Sequence, residues 1–480
     1  MIAMDHKGNL MGHAAQLFNG NAEQSLIGRI TPTTDQREFL QVQWNNLADY
    51  LKTYLYERTG YPISTWLQGS YKYGTLIKPT HPNEEYDVDV GIYFEWDENE
   101  AISPTPEQLR EWVQEGLVSY EEVNSDVANV EKPPKERCSR VTYKRQFHID
   151  TPVYHLKSDK DMRRLACLSG KWEISDPKAI YKWFKESIND AGREQLRRVI
   201  RYLKAWAAIS FKDAPGSRPS SILLTVLATE AYQTLWLRRL WAEMEDDDVL
   251  TFIIHIIHGR LFENKKVPNP IDLNEDLNRL NESDWEGFLP RLQALQDISQ
   301  RAKEAEDEVS AALAWSEAFS FLIPLPETDE LEIVDEVTGR AVMQLPEIDV
   351  EVYSRNPKQL IQTLRNEVPS VARDCDLKFK IANPYIVPDY AIVEWTVRNE
   401  GEEADLHSDL GHRRIGMRML SSDEHTSYAG RHFMDCIIRL NGQVYSARRV
   451  PVTVRSLPYA PRNQARPAYT KLRSSLRRRK

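Results

Sequence analysis

Gln68-Gly69-Ser70-Tyr71-Lys72-Tyr73-Gly74-Thr75-Leu76, followed ten residues later by Tyr86-Asp87-Val88-Asp89-Val90, is the stretch that decides how this chain is read. Tyr86–Phe94 alternates like a half-buried strand. Side chains on a strand alternate faces with period two, so Asp87 and Asp89 share one face while Val88 and Val90 share the other. Two carboxylates side by side repel each other unless a cation sits between them. Hard oxygen ligands of this kind suit Mg²⁺, with Mn²⁺ as a substitute, and a pair of such ions is what a two-metal phosphoryl-transfer site needs. Gly69 lets the backbone approach a phosphate closely. Ser70 offers a hydroxyl and an amide at the start of a short helix over 70–76, an anion-binding arrangement.

Working outward, Phe39, Trp44, Leu47, Leu51, Tyr54 and Leu55 recur at helical spacing over 35–58, with Thr34 or Asp35 as the cap. A strand is expected at Ile63–Leu67 and a helix over 105–120. Val141–Leu156 reads as one long strand or two short ones, and it carries Asp150 just before Thr151-Pro152. Asp150 is the candidate third carboxylate, because Pro152 limits how its strand continues. From Lys185 to Ile323 the pattern is helical, with helices expected at Arg193–Ser210, Pro219–Trp236, Leu237–Leu261 and Ile298–Leu322. Arg193, Arg197 and Arg201 read as a solvated helix face, and Glu243–Asp248 as a solvated acidic turn. One further helix is expected around Lys358–Glu367. Beyond Lys378 the pattern changes to strands, at Phe379–Ile381, Ala391–Arg398, His432–Leu440 and Val444–Val454, with Asn399-Glu400-Gly401 and Asn441-Gly442 as turns.

The 480 residues are enough for two or three domains, and 41% apolar with 28% charged residues is an ordinary globular composition. A net charge of −10 argues against nucleic-acid binding over the whole surface. Cys138, Cys167, Cys375 and Cys436 form no CxxC pair, so reduced thiols in a cytoplasmic protein are expected rather than a zinc knuckle. Asp5, His6 and Lys7 interrupt the N-terminal region, and no apolar run there or elsewhere reaches the roughly eighteen residues of a membrane span, so neither a signal peptide nor a membrane partner is expected. His407, His412, His425 and His432 lie close in sequence but lack zinc spacing.

Each element alone is ordinary: a DxD is often a solvated edge, and a Gly-Ser turn is often only a turn. Their order is not. Strand, Gly-Ser, short helix, strand with DxD and a later strand ending in Asp resembles the polymerase-β-like nucleotidyltransferase superfamily. More closely, Gln68-Gly69-Ser70-Tyr71-x-Tyr73-x-Thr75-Leu76 with Tyr86–Val90 and His148-Ile149-Asp150-Thr151-Pro152-Val153-Tyr154 is similar to the bacterial CD-NTases. These relatives of animal cyclic GMP-AMP synthase make cyclic oligonucleotides in anti-phage defence. The resemblance implies that Asp87, Asp89 and Asp150 hold two Mg²⁺ ions, and that Gln68, Gly69 and Ser70 contact the donor nucleotide. It also implies that Asp150 favours deprotonation of the attacking ribose hydroxyl. Arg201-Tyr202-Leu203-Lys204-Ala205-Trp206 and Arg218-Pro219-Ser220-Ser221 are similar to the segment that supplies a Lys and a Ser to the triphosphate in these enzymes and in oligoadenylate synthetases. The carry-over falls on Lys204 and on Ser221, with Ser220 as the other choice. Residues 378–455, through Asn383-Pro384-Tyr385 and Val393–Asn399, resemble the AGS-C module, proposed as a sensor; its Leu-Arg-Gly-like turn appears here only approximately, as Leu410–Arg414.

The expected fold is therefore α+β: a polymerase-β-like nucleotidyltransferase core with a small mixed sheet, a helical lobe and a small all-β C-terminal domain. The expected boundaries are an N-terminal arm at 1–33, the core at 34–180, the lobe at 181–325, a linker at 326–345, the β domain at 346–460 and a basic tail at 461–480. The expected activity is repeated attack of a ribose 2′- or 3′-hydroxyl on an NTP α-phosphorus, closing to a cyclic di- or trinucleotide. Its partners would be NTPs, a separate effector protein switched on by the product, and a ligand or RNA trigger. A linear-oligonucleotide synthase or nucleotide-transferring toxin is one alternative. A binding protein with a silent core is another, against which three clustered carboxylates argue.

Overall fold

The computed structural model describes residues 14–20, 24–82, 84–96, 103–157, 162–235, 244–325, 344–356 and 358–458. The basic tail and all but the end of the expected linker lie outside these residues. The chain falls into two compact units, 1–325 and 326–480.

The first unit opens with short helices α1 (Ala15–Asn19) and α2 (Leu26–Ile30) and then the long α3 (Thr34–Thr59). The cap of α3 is Thr33, one residue before the expected pair: its hydroxyl accepts from Gln36 N at 3.2 Å while Gln36 Oε1 accepts from Thr33 N at 2.9 Å, a reciprocal capping box. Next come β1 (Ile63–Gln68), α4 (Gly69–Tyr73), β2 (Tyr86–Glu95) and α5 (Pro106–Val123). Strands β3 (Val127–Val130), β4 (Ser139–Tyr143), β5 (Phe147–Thr151), β6 (Val153–Lys157), β7 (Met162–Ala166) and β8 (Trp172–Ile174) complete an eight-stranded mixed sheet.

β2 is the spine of that sheet. β1 runs antiparallel along one edge, Gln68 opposite Asp89. On the other edge Tyr86–Asp89 pair in parallel with Phe147–Asp150, and Ile92–Glu95 with Val153–Leu156, in the same register. β5 and β6 are thus one line interrupted at Pro152, which has no N–H to give but whose carbonyl accepts from Ile92 N at 2.9 Å. The expected single or double strand over 141–156 is three strands, because Gln146 takes a left-handed φ of 47° and turns β4 back on β5. Helices α3 and α5 cover one face through Leu47, Leu51, Leu55, Leu109, Val113 and Leu117, all buried with Val88, Val90 and Ile92. Gly116 lets them close up, since a Cβ there would stand 3.0 Å from Leu51 and Tyr54.

The helical part comprises α6 (Pro177–Ser187), α7 (Asp190–Ser210), α8 (Ser221–Gln233), α9 (Asp246–Glu263), a ribbon of β9 (Pro268–Asn269) and β10 (Asp272–Asp276), α10 (Glu282–Lys303) and α11 (Glu308–Phe319). The helix expected over Ile298–Leu322 is two helices: Asp307 caps α11, accepting from Ser310 N at 2.7 Å. The start of the helix expected at Leu237 lies outside the described residues. The N-terminal arm is docked where it is described. Phe18 is fully buried edge-on against Tyr202 and Trp315, each at 5.1 Å.

Two surface readings are overturned in this lobe. Asp246 is buried rather than solvated: Arg198 binds both its oxygens at 2.7 and 2.8 Å, Tyr202 donates at 2.7 Å and Gln195 at 3.2 Å. The arginine face of α7 is not solvated either. Arg193 donates to the carbonyls of Lys185 and Ile188 at 2.5 and 2.7 Å, Arg197 to that of Tyr73 at 2.9 Å and Arg201 to that of Leu76 at 3.2 Å. Helical spacing aligned these residues as expected; besides Asp190 for Arg193 and Glu194 for Arg197, their partners are main-chain oxygens, which leave no trace in sequence.

The second unit is a β-sandwich. A four-stranded sheet has the order β12 (Gln359–Arg365), β11 (Ile348–Ser354), β14 (Cys375–Ile381), β17 (Ser421–His425). A five-stranded sheet has the order β13 (Val368–Arg373), β19 (Gln443–Pro458), β18 (Gly430–Leu440), β15 (Ile392–Arg398), β16 (Gly411–Met417). A short α12 (Glu402–Leu406) follows β15. Val350, Phe379, Trp395, Cys436 and Val450 join both sheets in one core. The helix expected at Lys358–Glu367 is instead the edge strand β12, paired antiparallel along β11; pairing decides its conformation, since most of its side chains are exposed. Asn441 and Gly442, at φ 53° and 81°, make the expected tight turn between β18 and β19.

Candidate active site

β2 and β5 bring the candidate carboxylates together. Their register sets Asp87 beside His148 and Asp89 beside Asp150. Gly69 sits against the same place: a Cβ on it would stand 1.8 Å from Asp89 Oδ2, and its φ is 61°. Only glycine fits there, for both reasons.

The carboxylates are held differently. Asp87 Oδ1 meets His148 Nε2 at 2.9 Å, and Glu85 Oε2 meets His148 Nδ1 at 2.8 Å, so one imidazole spans two acids. Asp150 takes Arg140 through two bonds of 2.5 and 2.8 Å, the Cys138 thiol at 3.4 Å and Lys135 at 3.9 Å. The loop bearing Lys135 is pinned by buried Arg110 of α5, which donates to the carbonyls of Lys135 and Glu136 at 2.7 and 2.8 Å. Burial, then the charges of Asp87 and Asp150, push the Asp89 carboxyl well above the usual range, against the pull of Lys204 and Arg140. Burial also opposes ionisation of Asp87, but the hydrogen bond and charge of His148, with Arg140 and Lys204, bring it below the usual range. Like charges about 5 Å apart repel by about 3 kcal/mol at an effective dielectric of 20, so one member of such a set stays protonated unless a cation is supplied.

A divalent ion fits the donor set. Asp87, His148 and Asp150 each present a ligand atom within 4.8 Å of the others, with Asp89 adjoining. Hard carboxylate oxygens suit Mg²⁺ or Mn²⁺.

Beside the carboxylates lies a cleft of about 440 Å³. Ser70, Asp87, Lys204, Ser220 and Ser221 line it, together with Arg140, His148 and Arg218. Lys204 is buried and donates to the Thr75 carbonyl at 3.1 Å; burial pushes its ammonium down to about 7, with Asp87 acting against that and Arg201 adding to it. Ser220 Oγ is committed to capping α8, accepting from Leu223 N at 3.3 Å. Ser221 is exposed at the first turn, which favours it over Ser220 as the residue offered to a ligand. Gln68 does not line the cleft. It is buried behind it, within 3.3 Å of the Tyr154 hydroxyl and against Gly91.

Three residues escaped the sequence reading. His148 shares a strand face with Asp150 by the same period-two rule that paired Asp87 with Asp89, so its signal was present. Arg140 faces Asp150 only through the β4–β5 register, which the sequence does not display. Arg218 stands in the quoted serine motif and pairs with Glu84 at 2.7 Å on the cleft wall. The four C-terminal histidines form no metal-binding group among the described residues.

Residues 63–154 match the nucleotidyltransferase domain of the cyclic GMP-AMP synthase DncV-like family, and residues 335–455 match the adenylyl/guanylyl and SMODS C-terminal sensor domain, AGS_C. A cyclic GMP-AMP synthase of Escherichia albertii is 29% identical over 419 residues, covering 86% of this chain and 89% of the relative. A c-di-GMP synthase of Roseivirga ehrenbergii is 24% identical over 301 residues, covering 54% and 74%. The crystal structure of Vibrio cholerae DncV with the linear intermediate 5′ pppA(3′,5′)pG superposes with a TM-score of 0.54 at 20% identity, covering 66% of this chain and 99% of that one. Escherichia coli DncV bound to 3′-deoxy GTP gives 0.53 at 21% identity, covering 65% and 100%. The likeness shows a polymerase-β-like nucleotidyltransferase fold. No helix among the described residues is long and apolar enough to cross a membrane.

Proposed function

We propose, for a chain that carries a DncV-like nucleotidyltransferase domain and an AGS_C domain, that the cleft makes a cyclic di- or trinucleotide from NTPs. The observation that carries this is the β2–β5 register, which sets Asp87, Asp89 and Asp150 close together, with Asp87 lining a cleft also walled by Ser70, Lys204 and Ser221. The named relatives are synthases of cyclic GMP-AMP or c-di-GMP, which supports ring closure. Placement in anti-phage defence, with a separate effector protein reading the product, rests on the family resemblance alone.

In this reading Lys204, Ser70 and Ser221 hold the donor triphosphate, and Asp87, Asp89 and Asp150 hold the divalent ions. Bound Mg²⁺ or Mn²⁺ would supply Lewis-acid charge at the α-phosphate and the attacking hydroxyl. The ribose oxygen forms a bond to the α-phosphorus as the bond to pyrophosphate breaks. Asp150, held at both oxygens by Arg140, draws off the hydroxyl proton. His148 and Glu85 fix the orientation of Asp87. Most of the catalysis is positioning and charge neutralisation.

The test is incubation of the protein with all four NTPs and Mg²⁺, or Mn²⁺ in parallel, then phosphatase treatment and mass spectrometry. The expected product is phosphatase-resistant, has the mass of a cyclic di- or trinucleotide and disappears in Asp87→Ala/Asp89→Ala. Products with free ends would replace this reading with linear synthesis or nucleotide transfer. Product made undiminished by the double variant would sink the site assignment.

A further inference from the structure

The sandwich of the second unit has a hole in its core. A cavity of about 200 Å³ lies between its two sheets. Leu377 and Phe379 of β14 line it from one sheet, and Val397 of β15, Met434 of β18 and Val452 of β19 from the other. Val393, Trp395 and Val397 follow one another on the inner face of β15, yet the first two are fully buried and Val397 is only half-buried. That break in the pattern marks where the packing stops. Protein interiors are close-packed, and an apolar cavity of 150 Å³ already admits benzene, so this one has room for a single or fused ring.

The mouth is polar. Asp409, His412, Glu424, Tyr428 and His432 stand around it, and neither Arg nor Lys lines it among the described residues. Tyr428 donates to Asp409 at 3.1 Å, and His412 meets Glu424 at 3.0 Å. His432 accepts from Glu400 N at 3.3 Å and donates to the Tyr428 carbonyl at 2.9 Å, the pattern of a neutral imidazole, and its burial favours that form. Arg414 reaches Glu424 from outside at 3.4 Å, balancing one carboxylate. The Asp409 carboxylate takes the phenol and, among the described residues, has no arginine or lysine in an ion pair with it. A phosphate at this mouth would meet the Asp409 carboxylate with no guanidinium beside it, whereas an amine or amidine would meet acceptors.

We propose that this cavity is a binding site for a small molecule with a flat apolar body and a hydrogen-bond-donating, amine-like head, and that it excludes phosphate. The matching family is described as a sensor domain; the cavity supplies a site and a ligand chemistry for it. The proposal does not depend on the transferase reading, because its readout is binding.

Tryptamine is the probe, with indole-3-acetate as the same ring bearing an anionic head, each titrated calorimetrically into the full-length protein up to about 10 mM, a weak-fragment range. Tryptamine is expected to bind at least tenfold tighter than indole-3-acetate. Filling the cavity with Val397→Phe should remove that binding, and Asp409→Asn should weaken it severalfold. No binding of tryptamine, equal binding of indole-3-acetate, or binding that survives in a folded Val397→Phe would overturn the proposal. Should Val397→Phe fail to fold, Asp409→Asn decides alone: unchanged affinity overturns it.

Discussion

Two aspartates of the first unit, Asp246 and Asp89, each stand among other acids and are held in opposite ways. At the start of α9, Asp246 is buried and its oxygens receive four hydrogen bonds, two of them from Arg198. At the cleft, Asp89 faces Asp87 and Asp150, and its proton affinity rises because of them. Asp246 is compensated by the protein itself, whereas the carboxyl of Asp247 beside it is raised to about 7 by burial and by the charge of Asp248. The set around Asp89 is left with charge that the protein balances only in part, through Arg140, His148 and Lys204. Asp246 with its arginine ties α7 to α9, whereas in the second set only Asp150 has such a partner, and a set that needs an outside cation is one prepared for a ligand. That charge, gathered where β2 and β5 run side by side in the core and next to the cleft, is a physical sign of function.

The comparison breaks or sharpens under substitution. The largest effect is expected from exchanging each carboxylate for its amide. Asp246→Asn strands Arg198 and should lower the unfolding free energy by roughly 3–5 kcal/mol, while product per folded molecule is kept. Asp89→Asn should do the reverse: the metal-free protein melts no lower than the parent, and product is lost. Urea midpoints beside product yields decide this, and a destabilised Asp89→Asn would end the distinction. Next, Gly69→Ala should reduce turnover about a hundredfold, the scale of a displacement of about 1 Å at a reacting centre, because its Cβ must move the Asp89 carboxylate. A smaller effect is expected at Lys204. Its ammonium, held down to about 7, is largely neutral at pH 8 in the free protein, so binding a triphosphate should take up a proton. Apparent NTP affinity should therefore fall as pH rises above about 7, and Lys204→Met should flatten that slope while raising KM about tenfold, one charged contact's worth. Calorimetry in two buffers of different ionisation enthalpy reads the proton directly.

The smallest effect is on the pH dependence of stability. The Asp89 carboxyl is raised in the folded state, so between its unfolded value of about 3.9 and its folded value the unfolded chain binds fewer protons. The metal-free protein should thus lose stability, relative to Asp89→Asn, as pH climbs through that window. Millimolar Mg²⁺ should remove the difference; a difference unmoved by Mg²⁺ would mean that the cluster is not a cation site.

Much of this was legible in the sequence where the rule is local. Period two placed Asp87 and Asp89 on one face, and family resemblance reached Lys204 on a helix 115 residues further along. What the sequence hid was cross-strand register and main-chain partnership. Arg140 meets Asp150 because β4 folds back at Gln146, and Arg197 and Arg201 meet carbonyls that every residue type possesses. β12 was misread because an edge strand with mostly exposed side chains has little hydrophobic period to read. Gln68 belonged to the motif but supports the site from behind, a distinction that adjacency in sequence cannot draw.

The seam between α7 and the loop after α4 has a consequence for how the protein comes into being. Arg197, Arg201 and Lys204 grip carbonyls that lie 124, 125 and 129 residues earlier in the chain. At about 5–20 residues per second, a ribosome delivers those carbonyls many seconds before the side chains that seize them. The acidic strand is thus born well ahead of the wall that faces it, and a nascent chain passes through a stage with the carboxylates made and no seat for a triphosphate.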